Sequence, residues 1–315
     1  MEFTIFFTIL GGVFGASLGS FLKAMADRSL QKESFVSRSE CLHCKHKLNV
    51  FDLIPVLSYL TLQGKCRYCK KGIPKEYLFV EVISAGILAY LFYTYSFMFP
   101  PANDLYQQVV FWFDLFFKTF ILVVLGSIII TDFKKMLIPD RIIIPSIVIA
   151  FVVLLIVSII KVIYLYYFLT QSPIGQYLLP PTSDYFFRHA INAAWPFLGG
   201  VIMAFLIGLM FFILIVATKG RGMGGGDFKL GIFIGMVFGF PESITAIMLG
   251  FFTGALFGVA LLILGKKKFG QTIPFGPFLA LGCILTLFWG GPLVDWYFNL
   301  NVYFPEYIKQ LQNLF

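Results

Sequence analysis

The sequence has few charged residues, since aspartate, glutamate, lysine and arginine together make up 13% of its 315 residues. A soluble domain carries about 25%, and a chain of this size with so little charge could not cover a water-facing surface. A soluble enzyme, a disordered chain and a coiled coil are therefore excluded. Hydrophobic residues make up 59% of the chain and the mean hydropathy is +0.87, which is typical of a protein that crosses a membrane several times.

Eight apolar segments are candidates for membrane-spanning helices, because a bilayer core of about 30 Å needs roughly 20 apolar residues per helix. They are 3–22, 77–99, 110–131, 142–164, 191–217, 229–240, 243–264 and 273–294. The sixth is too short to cross the core as a straight helix at about 1.5 Å per residue. The predicted fold is an all-α polytopic membrane protein with about eight transmembrane helices and one small polar module.

Lysine and arginine predict the orientation of these helices. Most of the 24 basic residues fall in four connections, at 23–76, 132–141, 218–229 and 265–270. Eight crossings put all four connections on one side, and the positive-inside rule assigns that side to the cytoplasm. Both termini are then expected outside. The basic residues thus follow the membrane topology, which accounts for the net charge of +8. No nucleic acid partner is therefore expected.

The predicted organisation has four parts: a first helix at 1–22, a polar cytoplasmic module at 23–76, a membrane domain at 77–294 and a tail at 295–315. The start of the chain carries no lysine or arginine, so we expect a first helix that enters from outside rather than a cleavable signal. The tail has apolar residues at helical spacing, which predicts a helix on the membrane surface. These residues are Ile308, Leu311, Leu314 and Phe315, after Pro305.

Four of the five cysteines lie in the polar module, as Cys41-Leu-His-Cys44 and Cys66-Arg-Tyr-Cys69. Two CxxC turns supply the four thiolates of a tetrahedral zinc site. Zinc would stabilise a module that is too small to bury a useful core unaided. The alternative is four free thiols in a loosely ordered loop. The fifth, Cys283, lies in an apolar helix and is expected to be an inert packing residue.

Two aspartates lie at the ends of apolar segments on the predicted cytoplasmic side. Asp132 ends the third segment, and Asp227 follows the glycine-rich stretch 222–226 just before the short sixth segment. Acids in membrane segments are costly and usually functional, and two converging carboxylates can divide the work of acid and base. The pattern predicts peptide hydrolysis of the aspartic type. The alternative is an ordinary interfacial aspartate and a flexible glycine connection.

Other acids are assigned smaller roles by the sequence. Asp114 has Lys118 one helical turn away, so the two are expected to pair. Asp140 lies in a connection and is expected to be solvated.

The order of the motifs resembles the type IV prepilin peptidases, also called leader peptidases and N-methyltransferases. The motifs are Gly15-Ala-Ser-Leu-Gly19-Ser20-Phe21-Leu22 with Arg28, the two CxxC pairs around Phe51-Asp-Leu-Ile-Pro-Val-Leu-Ser-Tyr-Leu60, Tyr77-Leu-Phe-Val-Glu81, Asp132 to Pro139-Asp140, and Gly224-Gly-Gly226-Asp227. Lys134 departs from the family pattern, in which an acid is often found two residues after the first aspartate.

The resemblance implies an aspartic endopeptidase of the bacterial inner membrane. Its substrates would be prepilins and pseudopilins, cut between a glycine and a phenylalanine at the end of a basic leader. The same enzyme would then methylate the new amino terminus with S-adenosylmethionine. The resemblance assigns catalysis to Asp132 and Asp227, and zinc ligation to Cys41, Cys44, Cys66 and Cys69.

The site of the methyl donor is not fixed by these motifs. A soluble donor should bind where the module borders the membrane, and the nearest polar candidates are Glu81 and Arg28. The alternative for Glu81 is an ion pair with a basic residue of the zinc module.

Three other functions are compatible with parts of the pattern. A preflagellin or presenilin type of GxGD protease would cleave without methylating, but it would lack the four cysteines. A zinc-containing transporter would need charges near the middle of the membrane. A scaffold for pilus assembly would leave both aspartates without a catalytic role.

Overall fold

The computed structural model describes residues 2–35, 38–101, 105–181, 183–220, 224–265 and 273–312, apart from the side chains of 298 and of 300 onward. Its helices are α1 (Glu2–Gln31), α2 (Leu57–Thr61), α3 (Lys75–Ser96), α4 (Leu105–Lys135), α5 (Asp140–Gln171), α6 (Tyr185–Ala217), α7 (Gly225–Phe238), α8 (Glu242–Ile263) and α9 (Gly276–Gln312). Two short 3-10 turns, Val50–Leu53 and Gly175–Leu178, complete the regular structure.

Seven helices of the described residues are long and apolar enough to cross a membrane, namely α1, α3, α4, α5, α6, α8 and the part Gly276–Tyr297 of α9. The sixth predicted segment, 229–240, forms α7, which has 14 residues and is therefore as short as expected. The predicted all-α membrane fold is confirmed. The sidedness stays a prediction, and Arg221, Lys266, Lys267 and Lys268 lie outside the described residues.

Several helices run beyond the predicted spans. The first continues from residue 22 to Gln31, which places Lys23, Asp27 and Arg28 on its last turns. Charged side chains mark where the bilayer ends, but they do not interrupt a backbone hydrogen-bond ladder in good helix formers such as Ala24. Similarly, α9 includes the predicted tail as far as Gln312, and most of the tail's side chains lie outside the described residues.

Residues 1–139 form one compact unit, which contains the cysteine module. Its helices α1 and α3 pack closely because α1 has glycines at four-residue spacing. A Cβ atom on Gly15 would lie 2.5 Å from the backbone oxygen of Ser84, and one on Gly19 would lie 3.0 Å from Cα of Glu81. This backbone contact is typical of small-residue interfaces between membrane helices. It fixes the end of α1 beside the start of α3.

Residues 140–315 form the second compact unit. The short helix α7 packs on α6 through close backbone contacts: a Cβ atom on Gly235 would lie 2.5 Å from the amide nitrogen of Ala204, and one on Gly200 would lie 2.5 Å from the oxygen of Met236. Its side chains Leu230 and Phe233 are buried. The first turn of α7 is therefore held by packing along the rest of the helix.

Candidate active site

The two CxxC segments form the same local turn. In the first, the amide of Cys41 donates to the oxygen of His46 at 2.9 Å, and the amide of Lys45 donates to the oxygen of Cys41 at 3.0 Å. The second, which begins at Cys66, repeats both bonds at 2.8 and 3.0 Å. Each turn closes with a lysine at positive φ, 56° at Lys45 and 60° at Lys70. The two turns direct their cysteine side chains toward a common point.

The four sulphur atoms of Cys41, Cys44, Cys66 and Cys69 lie within 4.8 Å of one another. The sulphurs of Cys41 and Cys69 are 3.8 Å apart. A tetrahedral site with Zn–S bonds of about 2.3 Å separates its sulphurs by about 3.8 Å, so this cluster could hold zinc. The structure thus brings together the four predicted ligands, and it buries Cys283 in α9 as expected.

The thiols of this cluster have unequal proton affinities. Burial opposes ionisation of Cys41, but hydrogen bonds from the backbone of Cys44 and His43 outweigh it and lower the pKa of Cys41 to about 6. The backbone of His46 favours the Cys44 thiolate, but burial and the adjoining sulphurs of Cys41 and Cys69 outweigh this and raise its pKa to about 11. A bound dication would relieve the repulsion between close thiolates.

The carboxylate of Asp52 joins the turn 50–53 to the second CxxC. Its side chain is 4% exposed and accepts hydrogen bonds from Nε of Arg67 at 2.7 Å, from the hydroxyl of Tyr68 at 3.1 Å and from the amide of Asn49 at 3.2 Å. Burial would raise the pKa of Asp52, but these three donors hold it below its ordinary value. The ring of Tyr68 also lies on that of His46, with centroids 3.8 Å apart.

Glu81 is buried at the start of α3 and contacts the cysteine module. Its Oε2 atom accepts a hydrogen bond from the amide of Val56 at 2.7 Å. The predicted alternative was a basic partner in this module, whereas the observed partner is a backbone amide. Glu81 therefore fixes the corner that precedes α2.

A cavity of about 1020 Å³ lies within the first unit, between the end of α1, the cysteine module and the start of α3. Both sequence candidates for the donor site, Arg28 and Glu81, line it. The Nη1 atom of Arg28 donates to the oxygen of Phe35 at 2.7 Å. The structure therefore places the two candidates around one space of the size that small-molecule sites have.

A cluster of four charges in the wall of this cavity was not predicted from the sequence. It consists of Lys23, Asp27, Glu76 and Lys134, and we call it the four-charge cluster. The Nζ atom of Lys23 lies 2.6 Å from Asp27 and 3.4 Å from Glu76, and that of Lys134 lies 3.0 Å from each. The hydroxyl of Tyr77 donates to Asp27 at 3.3 Å, and the ring of Tyr77 lies 4.6 Å from Nζ of Lys23.

The first predicted catalytic residue, Asp132, is buried in the last turn of α4. Its backbone oxygen accepts from the amide of Met136 at 2.8 Å, and Met136 has a φ of 49°, so the helix ends with a residue in the left-handed conformation. Farther along α4, the predicted pair of Asp114 and Lys118 is confirmed at 3.1 Å.

The second predicted catalytic residue, Asp227, lies half-buried in the first turn of α7. Its Oδ2 atom accepts from the amide of Gly224 at 3.4 Å. Apart from its chain neighbours and the backbone of its own helix, no described residue would lie within 4 Å of a Cβ atom on Gly225. Packing against the described residues therefore does not explain why a glycine occupies position 225.

Asp140 is exposed, as expected, and pairs with Lys229 on the first turns of α7 at 2.5 Å. Asp132 and Asp227 belong to different compact units, so the convergence of their carboxylates stays a prediction. Gly222, at the start of the glycine-rich stretch, lies outside the described residues.

Comparison with known proteins gives two family matches. Residues 13–95 match the Bacterial Peptidase A24 N-terminal domain, and residues 119–259 match the Type IV leader peptidase family. The first match contains the four cysteines, and the second contains both aspartates. No solved structure matches the chain.

Curated relatives align over most of the chain. A Bacillus subtilis (strain 168) protein named prepilin leader peptidase/N-methyltransferase is 29% identical over 289 residues, covering 91% of this chain and 96% of that protein. Proteins of the same name from Aeromonas salmonicida (strain A449) and Legionella pneumophila are 27% and 26% identical, covering 84% of this chain and 75% and 76% of their own lengths.

Proposed function

Because the chain belongs to the type IV leader peptidase family, we propose that it removes the leaders of type IV prepilins and pseudopilins and methylates the new amino terminus. The relatives are named for both activities. The seven apolar helices suit a multi-pass protein of the inner membrane. In this proposal the cysteine module faces the cytoplasm, both termini lie outside, and the bond cut is of the Gly-Phe type.

The observation that carries the proposal is the placement of the two aspartates at opposite ends of their helices. Asp227 lies in the first turn of α7 and Asp132 in the last turn of α4. The helix dipole favours negative charge in a first turn and disfavours it in a last turn. We therefore assign Asp227 as the base that activates water and Asp132 as the acid that protonates the leaving amine.

The glycines before Asp227 support a role in binding the substrate backbone. Gly224 and Gly225 are exposed, and the φ of Gly224 is −85°, so its conformation does not require glycine. The space beside Gly225 would admit an extended peptide close to the carboxylate of Asp227.

Zinc fits the four-cysteine cluster as a structural ion. Four thiolate ligands leave no open position for substrate, and the contacts of Asp52 with Arg67 and Tyr68 already orient the second CxxC turn. Cys41, Cys44, Cys66 and Cys69 would hold the ion, which would contribute folding energy to the module.

The cavity lined by Arg28 and Glu81 is the proposed site of S-adenosylmethionine. This donor supplies a methyl group activated by a sulfonium. The guanidinium of Arg28 suits the carboxylate of its methionine part, and the carboxylate of Glu81 suits its ammonium group. Both residues border the end of α1 and the start of α3, next to the proposed membrane surface.

The experiment is to incubate the purified protein with a prepilin whose leader ends in Gly-Phe, with and without S-adenosylmethionine. Mass spectrometry should find the leader removed in both reactions and one added methyl group only when the donor is present. Removal without methylation would support the cleavage-only alternative. An intact prepilin in both reactions would contradict the proposal and favour a transporter or scaffold.

A further inference from the structure

The four-charge cluster has no role in the function proposed so far, although it lies in the wall of the same cavity. All four side chains line this space. Two carboxylates, Asp27 and Glu76, are each shared by two ammonium groups, those of Lys23 and Lys134. The carboxylates therefore already form a site in which an ammonium group is bound within 3.4 Å.

The two lysines differ in exposure. The side chain of Lys23 is 2% exposed, whereas that of Lys134 is 35% exposed and its partner Glu76 is 59% exposed. Lys23 is thus a fixed counter-ion, held also by the ring of Tyr77. The ammonium group of Lys134 can move into solvent with a small loss of free energy, since partly exposed ion pairs contribute little stability.

We propose that Glu76 and Asp27 bind the new amino-terminal ammonium group of the cleaved pilin, which takes the place of Lys134. The inference rests on the proposed function, because it names the acceptor site for the methyl transfer. The exchange replaces one ammonium group with another, so the buried pair of Lys23 and Asp27 keeps its charge balance.

The position of the cluster suits this transfer. Lys134 follows Asp132 by two residues on α4, which corresponds to about 3 Å along the helix axis. The amine produced beside Asp132 therefore starts at nearly the same height along α4 as the carboxylates that would hold it, and it reaches them by moving around the helix, because side chains two residues apart lie on different faces. Arg28 and Glu81, assigned to the methyl donor, line the same cavity.

The bound ammonium must lose a proton before it reacts. The side chain of Glu76 is 59% exposed, so the bound ammonium group is open to water, which takes this proton. The lone pair of the neutral amine then forms the N–C bond while the C–S bond of the donor breaks and its electron pair stays on sulphur. The products are a secondary ammonium on the pilin and a neutral thioether.

The test measures binding without any methyl donor. The probe is a peptide of the mature pilin amino terminus that begins with phenylalanine, and its matched control is the same peptide with an acetylated amine. Affinities are measured for the full-length protein in nanodiscs. The wild type should prefer the free amine by about tenfold, the effect expected of a charge-assisted hydrogen bond.

Two substitutions should act in opposite directions. Glu76→Gln should abolish most of this preference, and Glu76→Asp should retain it. Lys134→Met should strengthen binding of the free-amine peptide because a competing ammonium is removed. Lys135→Met, an exposed lysine at the same end of α4, is the control and should have no effect.

Three results would overturn the inference: equal affinity of the wild type for both peptides, a full preference in Glu76→Gln, or weaker binding in Lys134→Met. The last result would indicate that the cluster only clamps the helices together. Binding of S-adenosylmethionine is measured separately. Loss of donor binding with an intact amine preference would reject the proposed donor site and leave the acceptor site standing.

Discussion

The buried carboxylate of Glu81 accepts a hydrogen bond from the backbone amide of Val56 at 2.7 Å. Val56 has a φ of 61°, which is costly for a β-branched residue and persists only when neighbouring contacts impose it. Glu81 thus has a structural contact with the cysteine module in addition to its proposed role toward the methyl donor. The two roles can be separated by substitution.

Glu81→Gln should remove prepilin leaders at a near-normal rate but yield mostly unmethylated pilin. Glutamine keeps an oxygen that accepts from Val56, while the negative charge proposed to bind the donor is lost. Glu81→Ala should also destabilise the module, because the amide of Val56 then lacks this partner, at a cost of about 1–3 kcal/mol. Mass spectrometry of the mature amino terminus decides the first point, and full methylation by Glu81→Gln would eliminate the proposed role.

Replacing Cys41 and Cys44 together with serine should release one zinc ion per chain and destabilise the module. The remaining two thiolates cannot complete a tetrahedral site. Elemental analysis of protein purified without chelator measures the metal, and Cys283→Ala is the control that should retain it. A wild-type protein without zinc would refute this prediction.

Asp52→Asn should weaken the module by about 1 kcal/mol, because charge-assisted hydrogen bonds from Arg67 and Tyr68 become neutral ones. The pKa of Asp52 is below its ordinary value, so its stabilisation is fully present above that ordinary value and is lost only as the pH falls through the lowered one. The difference from wild type should therefore be constant from about pH 6 to 8.

Chelator-driven zinc release at several pH values measures this difference. Glu40→Gln is the matched control, since the pair of Glu40 and Lys45 at 3.3 Å is exposed and should contribute little. Equal effects of the two substitutions would contradict the assigned role of Asp52.

Gly225→Ala should leave folding intact and slow leader cleavage. Alanine is up to about 1 kcal/mol more favourable than glycine in a helix, and apart from its chain neighbours and the backbone of α7 no described atom lies within 4 Å of the added Cβ. The methyl group would instead occupy the space proposed for the substrate backbone. Thermal unfolding and the cleavage rate are measured together, and an unchanged rate would show that no substrate approaches there.

The helices could be predicted from the sequence better than their ends. Hydropathy located every long helix, and i,i+4 spacing predicted the contact of Asp114 with Lys118. Bilayer thickness predicts that the first span ends at residue 22, whereas α1 ends at Gln31, because the thickness of the bilayer does not limit the length of a helix. A pair of charges one turn apart, Lys23 and Asp27, stabilises the extension.

The site could be predicted only where its pattern is local. The CxxC spacing identified all four cysteines of the cluster. In contrast, the four-charge cluster combines α1, α3 and α4. Two of its members, Asp27 and Lys134, are 107 residues apart in sequence, and no local spacing links the three helices. The partner of Glu81 is a backbone amide, which carries no side-chain signature. The convergence of Asp132 and Asp227 stays a prediction.

The most direct test of the account is the rate of prepilin cleavage by Asp132→Asn, Asp227→Asn and Asp140→Asn. The cleavage rate of each of the first two should fall by a factor of about 10² or more, since one carboxylate cannot both activate water and protonate the leaving amine. Asp140→Asn, which removes an exposed ion pair with Lys229 and a negative charge at the start of α5, should retain most of it. Near-normal cleavage by Asp132→Asn or Asp227→Asn would contradict the assignment of the two aspartates as the catalytic pair.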